Sequence, residues 1–296
     1  MIRAHVATLV YFDQHAAFKG FEQALENDAA LQNDEFHTLH SRCIRMNNMV
    51  TNLLKEGPVN DSLRHHSKAA VAIATDHASK IPPLHLLSAQ RNHMVVLAGL
   101  GEHNDAIAMG EEALLGFREL LGSSHPTTVS VLRELSVIVL NRAHVSREFD
   151  EVEPLLREAA TRCEDLFGEV NGETLSARML LGQCIAAQGQ LSGAKSLFRS
   201  NLAVSRAVHG DAHQFTMLAA SHLATILMER RDLFEAEAIL RWQLRVTTRT
   251  HGANSGQARN AALELSRCKL LAGDGGVSEL DVKRAASEEA LCRQCQ

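Results

Sequence analysis

The glycines of this chain keep a register. Leu121-Gly122, Phe167-Gly168, His209-Gly210 and His251-Gly252 each close an amphipathic stretch, and successive glycines lie 46, 42 and 42 residues apart. A second series, Gly101, Gly189 and Gly273 with Arg231 in the equivalent place, sits 21 residues from the first. Half a period is one helix plus its turn, and glycine suits the junction because a helix commonly ends in a left-handed residue where a side chain costs energy. A fixed period of this size marks a repeat array, in which each unit buries its apolar face against the next. At 296 residues the chain also exceeds the usual size of a single compact core.

Apolar residues between the markers keep helical spacing and recur from unit to unit. The second helix of each unit begins at His103, Phe149, Leu191 or Leu233. Leu191, Ala194, Leu197, Phe198 and Leu202 form one stripe, and Leu233, Ala236, Ile239, Leu240 and Leu244 repeat it. A small residue recurs in it as Ala106, Val152, Ala194 and Ala236, which predicts close approach of two helices. In the first helices Ala89, Val131, Ala177, Ala219 and Ala261 align, followed four residues on by His93, Leu135, Leu181, Leu223 and Leu265. Next come Met94, Ser136, Gly182, Ala224 and Ser266, then Val96, Ile138, Cys184, Ile226 and Cys268, completing one helical face.

Leu181-Gly182, an apolar residue at Ile185, an alanine at Ala194 and a large apolar residue at Phe198 together resemble the tetratricopeptide signature. The 42-residue period and the segment Leu121-Gly122-Ser123-Ser124-His125-Pro126-Thr127-Thr128 resemble the kinesin-light-chain subtype, with echoes from Phe167-Gly168 to Thr174 and from His209-Gly210 to Thr216. The resemblance covers roughly residues 84 to 273. It implies an all-α fold, a right-handed superhelical solenoid of antiparallel helix hairpins with first helices lining the concave surface. Thr128, Thr174 and Thr216, each six residues past its glycine, are expected to cap the next helix.

The expected organisation is an N-terminal helical cap with a degenerate hairpin over 1–80, with a capping helix around Phe12 to Asn27 and a hairpin from Phe36 to Glu56 and Asp61 to Lys80. A repeat array follows over 81–276, with hairpins at about 84–122, 126–168, 173–210, 215–252 and 256–273 plus a following helix. A C-terminal helix and Cys-x2-Cys tail occupy 277–296. The first glycine interval is four residues longer than the others, which places an insertion near Arg142 to Glu148, in the turn between hairpin helices. No sustained heptads precede the repeats, so the coiled coil of the kinesin light chain has no counterpart here.

Composition agrees with helices: 45% hydrophobic but 4% aromatic, with five prolines. A formal charge of −5 without a Lys/Arg block argues against nucleic acid or an anionic membrane as partner. No apolar run is long enough to span a bilayer, and the apolar start is cut short by Asp13, Gln14 and His15, so it reads as helix and not as a secretion signal. Six cysteines, mostly far apart, suit reduced thiols, and a cytoplasmic location is expected.

Sixteen histidines invite a search for metal or acid–base chemistry. His37 and His40 supply only half a site, His65 and His66 point about 100° apart on a helix, and His125, His209, His213 and His251 recur with the inter-hairpin turn. His93 replaces a leucine and reads as a hydrogen-bonded, partly buried group. No phosphate-cradling loop or nucleophile elbow is present, so no enzyme and no cofactor are expected. Cys292 and Cys295, with C-x2-C spacing, form half of a tetrahedral zinc site; the chain stops one residue later, and the pair resembles the opening knuckle of a MYND-type finger in a truncated protein. Zinc is the expected metal in that case.

By resemblance, partner contacts fall on the concave face: Arg91, Asn92, Val95, Arg133, Glu134, Val137, Met179, Gln183, Ser221, His222, Thr225, Asn260 and Arg267. Of the family's lysine- and asparagine-rich carboxylate clamp only Asn92 is recognisable. The expected function is a protein–protein interaction scaffold that holds a partner peptide or domain with apolar anchors, helped by Arg91, Arg133 and Arg267. The alternatives are a truncated protein whose repeats precede a MYND-type zinc finger or serve as the sensing arm of a lost effector domain, and self-association through the array's ends.

Overall fold

A computed structural model of the chain describes residues 35–56 and 58–273, with side chains described over 41–54 and 58–273. Eleven helices run through the described residues: α1 (Glu35–Glu56), α2 (Asp61–Asp76), α3 (Pro83–Gly99), α4 (His103–Leu121), α5 (Pro126–Ser146), α6 (Val152–Phe167), α7 (Gly172–Ala187), α8 (Leu191–His209), α9 (Gln214–Glu229), α10 (Leu233–His251) and α11 (Gly256–Ala272). No strand occurs among the described residues. The fold class is therefore the all-α array of tandem hairpins expected from the period. The helix around Phe12 to Asn27 and the C-terminal helix and tail lie outside the described residues.

The chain divides between Arg147 and Glu148 into two compact units. In the first, each of α1 to α4 packs on its successor, and the odd-numbered helices also touch, α1 on α3 and α3 on α5. In the second, α6 to α11 pack in sequence and α7 touches α9. Odd-numbered helices are the first helices of their hairpins and even-numbered ones the second.

The glycines that end the second helices are obligatory. Gly210 ends α8 at φ 84° and ψ 174°, a conformation open essentially to glycine alone. Arg231, standing where a glycine occurs in other units, takes φ 64°, and Arg147 takes φ 67°. Arg147 also explains the long first interval. α5 is 21 residues long where α7 and α9 have 16, so the extra residues continue the helix by about one turn rather than swelling the turn after it.

The threonines do not cap. Each helix start is capped three residues past the glycine: His125 Nδ1 accepts from Thr127 N at 3.2 Å, Asn171 Oδ1 from Glu173 N at 2.8 Å, His213 Nδ1 from Phe215 N at 3.3 Å and Ser255 Oγ from Ala258 N at 3.2 Å. The threonines donate backward instead. Thr174 Oγ1 bonds Gly168 O and Thr216 Oγ1 bonds Gly210 O, both at 2.8 Å, and Thr128 Oγ1 reaches Phe117 O at 3.3 Å. All three are buried, so each latches an incoming first helix to the end of the preceding one.

Inside the hairpins volume is exchanged between partner helices. Ala106, Val152, Ala194 and Ala236 are fully buried. A Cβ on Gly182 of α7 would stand 2.8 Å from the Phe198 ring of α8, while on Gly110 of α4 it would stand 2.6 Å from Met94 Sδ of α3. Bulk therefore sits on the first helix in one hairpin and on the second helix in another, at the same contact.

The His93 column shows a second local solution. His93, buried on α3, has its Nδ1 2.9 Å from Ser67 Oγ on α2, and Ser67 Oγ also donates to Arg64 O at 3.0 Å. Burial, then the charges of Lys68 and Arg64, lower its pKa from the ordinary 6.5. An unfolded His93 therefore takes up a proton more readily than a folded one, and stability present above about pH 6.5 is lost as the pH falls toward the folded value. His222, lowered by burial, acts in the same sense. Replacing His93 by leucine, the residue of the other hairpins, is expected to shrink the drop in melting temperature between pH 7.5 and 5.5 without abolishing it. An unchanged drop would show that folding does not lower the His93 pKa.

Candidate functional site

A cleft between first helices is found in each unit. In unit 1 a cleft of about 420 Å³ lies among α1, α3 and α5, and Arg91, Asn92, Val95 and Glu134 line it. In unit 2 a cleft of about 620 Å³ lies among α9, α10 and α11, and Ser221, His222, Thr225, Asn260 and Arg267 line it. Nine of the thirteen residues expected on the concave face thus fall in these clefts. Arg133 and Val137 are half-buried on α5. Met179 departs from expectation: it is 3% exposed, in unit 2, where α7 packs against α9.

The two clefts differ in what bridges them. In unit 1 the side chains are tied to one another. Arg91 Nε donates to Glu134 Oε2 at 2.8 Å and its Nη2 to Ser130 Oγ at 3.2 Å, joining α3 to α5. That hydrogen-bonded carboxylate raises the pKa of the guanidinium further. Asn92 Nδ2 donates to Thr51 Oγ1 at 3.1 Å and to Asn47 O at 3.2 Å, joining α3 to α1. Arg91 and Asn92 hold the hairpins together, and the expectation that Arg91 grips a peptide gives way to this structural role.

In unit 2 one seam is tied and the next is open. Gln183 Nε2 on α7 lies 3.1 Å from His222 Nε2 on α9, and the imidazole stacks on Phe198 with ring centroids 5.1 Å apart. Because burial lowers the His222 pKa, the ring is neutral and accepts the amide proton. Forty-two residues further on the same two positions hold Thr225 and Glu264. Thr225 Oγ1 turns back to Ser221 O at 3.1 Å, and Glu264 pairs with Arg267 on its own helix at 3.6 Å. No bridge forms between them, and the cleft opens there. Met217, Leu218, Met228 and Ala261 give it an apolar wall, with Leu240 and Gln243 of α10 as its floor.

Met217, Met228, Gln214 and Gln257 were not in the expected set. Met217, Met228 and Gln257 lie one turn, and Gln214 two turns, from the expected positions on the same helices, so extending the stripe along each helix would have found them.

Cys43, Cys163, Cys184 and Cys268 are buried and outside disulfides, and burial pushes Cys184 up to about 11, far from the reactive thiolate range. The described residues hold no group of three or more His, Cys, Asp or Glu suited to a metal. The half-site of Cys292 and Cys295 and the side chains of His37 and His40 lie outside the described residues. No described helix is long and apolar enough to cross a membrane.

Comparison with known proteins bears on this geometry. Residues 95–127 match the family model for the tetratricopeptide repeat. No curated protein sequence matches the chain. Among solved structures, a putative kinesin light chain of nearly identical TPR-like repeats from Podosopora anserina superposes with a TM-score of 0.61 at 18% identity, over 71% of this chain and 96% of that one. BtubC (BKLC) from P. vanneervenii gives a TM-score of 0.64 at 17% identity, over 79% of this chain and 91% of that one. A signal transduction ATPase with numerous domains from Pyrococcus horikoshii, carrying a tetratricopeptide repeat sensor, gives 0.67 at 13% identity, with 96% of this chain spanning 41% of that one. With its 42-residue register, its glycine-ended hairpins and its Gly182–Phe198 contact, the chain has the fold of a tetratricopeptide-repeat array and is similar to those of kinesin-light-chain-like proteins.

Proposed function

We propose that this chain is a protein-interaction module without catalytic activity, and that the α9–α11 cleft of unit 2 receives a segment of a partner protein. The open seam carries this reading. Gln183 and His222 close one junction between first helices, Arg91 and Glu134 close another, and Thr225 and Glu264 leave the third open onto an apolar wall. A cleft of about 620 Å³ with a mostly apolar lining and a few convergent polar groups has the character of a recognition site. Tetratricopeptide folds serve generally as interaction scaffolds, which supports the same reading. The Pyrococcus horikoshii neighbour, whose repeats are a sensor within a longer ATPase, supports a second one: these repeats act as the sensing arm of a larger assembly, with the same cleft receiving the signal.

Thr225→Arg tests the site. Thr225 is exposed and bonds only along its own helix, and arginine is a good helix former, so the fold is expected to keep its melting temperature. The long side chain fills the cleft. Peptides selected from a random phage library on the wild-type protein are expected to bind the variant at least tenfold more weakly, about 1.4 kcal/mol, in a calorimetric titration. Peptides that bind both proteins equally place recognition elsewhere.

A further inference from the structure

The groups lining the α9–α11 cleft define the chemistry of an occupant, given the reading that this cleft is the binding site. Its charges are already matched or absent. Glu264 and Arg267 pair with each other, and His222 is held neutral by burial and by the amide of Gln183. A charged ligand would lose hydration on entering and find no free counter-charge, an unfavourable exchange.

The hydroxyls are matched as well. Ser221 Oγ donates to Met217 O at 3.0 Å and accepts from Gln243 Nε2 at 2.9 Å, and Thr247 Oγ1 donates to Gln243 O at 2.9 Å. Gln243 Nε2 also donates to Met217 O at 2.9 Å. The floor therefore offers few unmet donors and behaves as a less polar surface than its composition suggests.

Three lining residues stand apart. Gln214, Gln257 and Asn260 are exposed, and their side-chain amides make no hydrogen bond or ion pair among the described residues. A primary amide offers donors and an acceptor together, the complement of a peptide group. A helical ligand satisfies its own backbone internally and has no use for such groups, whereas an extended one presents free N–H and C=O along its length. An extended chain also turns alternate side chains to opposite faces, so that one face meets Met217, Met228 and Leu240 while the other stays in water. Methionine adapts its shape to such inserted side chains.

We propose that the cleft holds an extended, uncharged stretch of a partner protein, its main chain bonded to the amides of Gln214, Gln257 and Asn260 and its large aliphatic side chains seated against Met217, Met228 and Leu240. The test uses the full chain and a random-peptide phage library, with the selected peptides resynthesised and titrated. Enriched peptides are expected to be poor in Asp, Glu, Lys and Arg and rich in Leu, Ile and Met relative to the unselected library. Gln257→Ala with Asn260→Ala, which leaves the apolar wall in place, is expected to weaken them about tenfold, and N-methylation of peptide backbone nitrogens is expected to weaken them similarly. Acidic or basic peptides that lose binding to the Thr225→Arg variant would overturn this chemistry while leaving the cleft as the site. So would uncharged peptides indifferent to the two alanines and to N-methylation. Peptides indifferent to Thr225→Arg, or no enrichment at all, would overturn both.

Discussion

Replacing Phe198 with alanine is expected to cost about 4 kcal/mol of folding free energy, because the ring is 1% exposed and fills the space that Gly182 leaves on the facing helix. The converse change, Gly182→Ala, adds a methyl 2.8 Å from that ring and is expected to cost about 2 kcal/mol through overpacking. These two costs are not independent. The next hairpin carries Ala224 and Leu240 at the same two positions, both buried. The double change Gly182→Ala with Phe198→Leu reproduces that pair and is expected to lie within about 1 kcal/mol of the wild type. Phe198→Leu alone is expected to cost about 1 kcal/mol, so additivity with Gly182→Ala would give about 3 kcal/mol and the coupling is about 2 kcal/mol, in the range seen for residues in direct contact. Trp242, the sole tryptophan, lies in the same unit with the Arg206 guanidinium 4.9 Å from its ring and its indole N–H 3.4 Å from Asp211 Oδ2, so its fluorescence in a urea titration reports this unit's unfolding. Strictly additive costs would mean that the hairpin does not exchange volume across this contact.

This exchange marks how far the sequence could be read. The glycine register, the small-residue column and the helix stripes are local properties, repeated in each unit, and they located the hairpins and their buried faces. The Thr128, Thr174 and Thr216 hydroxyls were misjudged because a hydroxyl near a helix start serves equally as an acceptor for amides or as a donor to the preceding turn. Pro126 held the better clue: a proline favours the first helical position, so the cap is the residue before it, His125. The resemblance put Ser221, His222, Thr225, Asn260 and Arg267 on one face, and all five line the α9–α11 cleft. It did not show which junctions are closed, since that depends on pairs drawn from two repeats at once. Gln183 needs His222, and Arg91 needs Glu134, and neither pairing is visible within a single unit. Met179 was misplaced for a related reason, since its exposure depends on how closely two first helices approach.

If such pairs decide which seam is open, the open seam can be closed by substitution. Thr225→Gln with Glu264→His places the Gln183 and His222 side-chain types 42 residues on, at the mouth of the α9–α11 cleft. The exchange removes the Glu264–Arg267 pair, which is exposed and contributes little. Thr225 gives up only a bond within its own helix. The introduced amide and imidazole then face one another across the cleft with Leu240 beneath, where Phe198 supports the natural pair. Peptides selected on the wild-type chain are expected to bind the double variant about thirtyfold more weakly, close to 2 kcal/mol. Either single change is expected to do much less than half of this, because a lone amide or a lone imidazole bridges nothing. Acid should partly restore binding, since a protonated imidazole no longer accepts the amide proton and the bridge is lost. An affinity that falls equally in the single variants points to simple obstruction of the cleft, and an affinity that does not fall at all removes the seam from the explanation of where this chain binds.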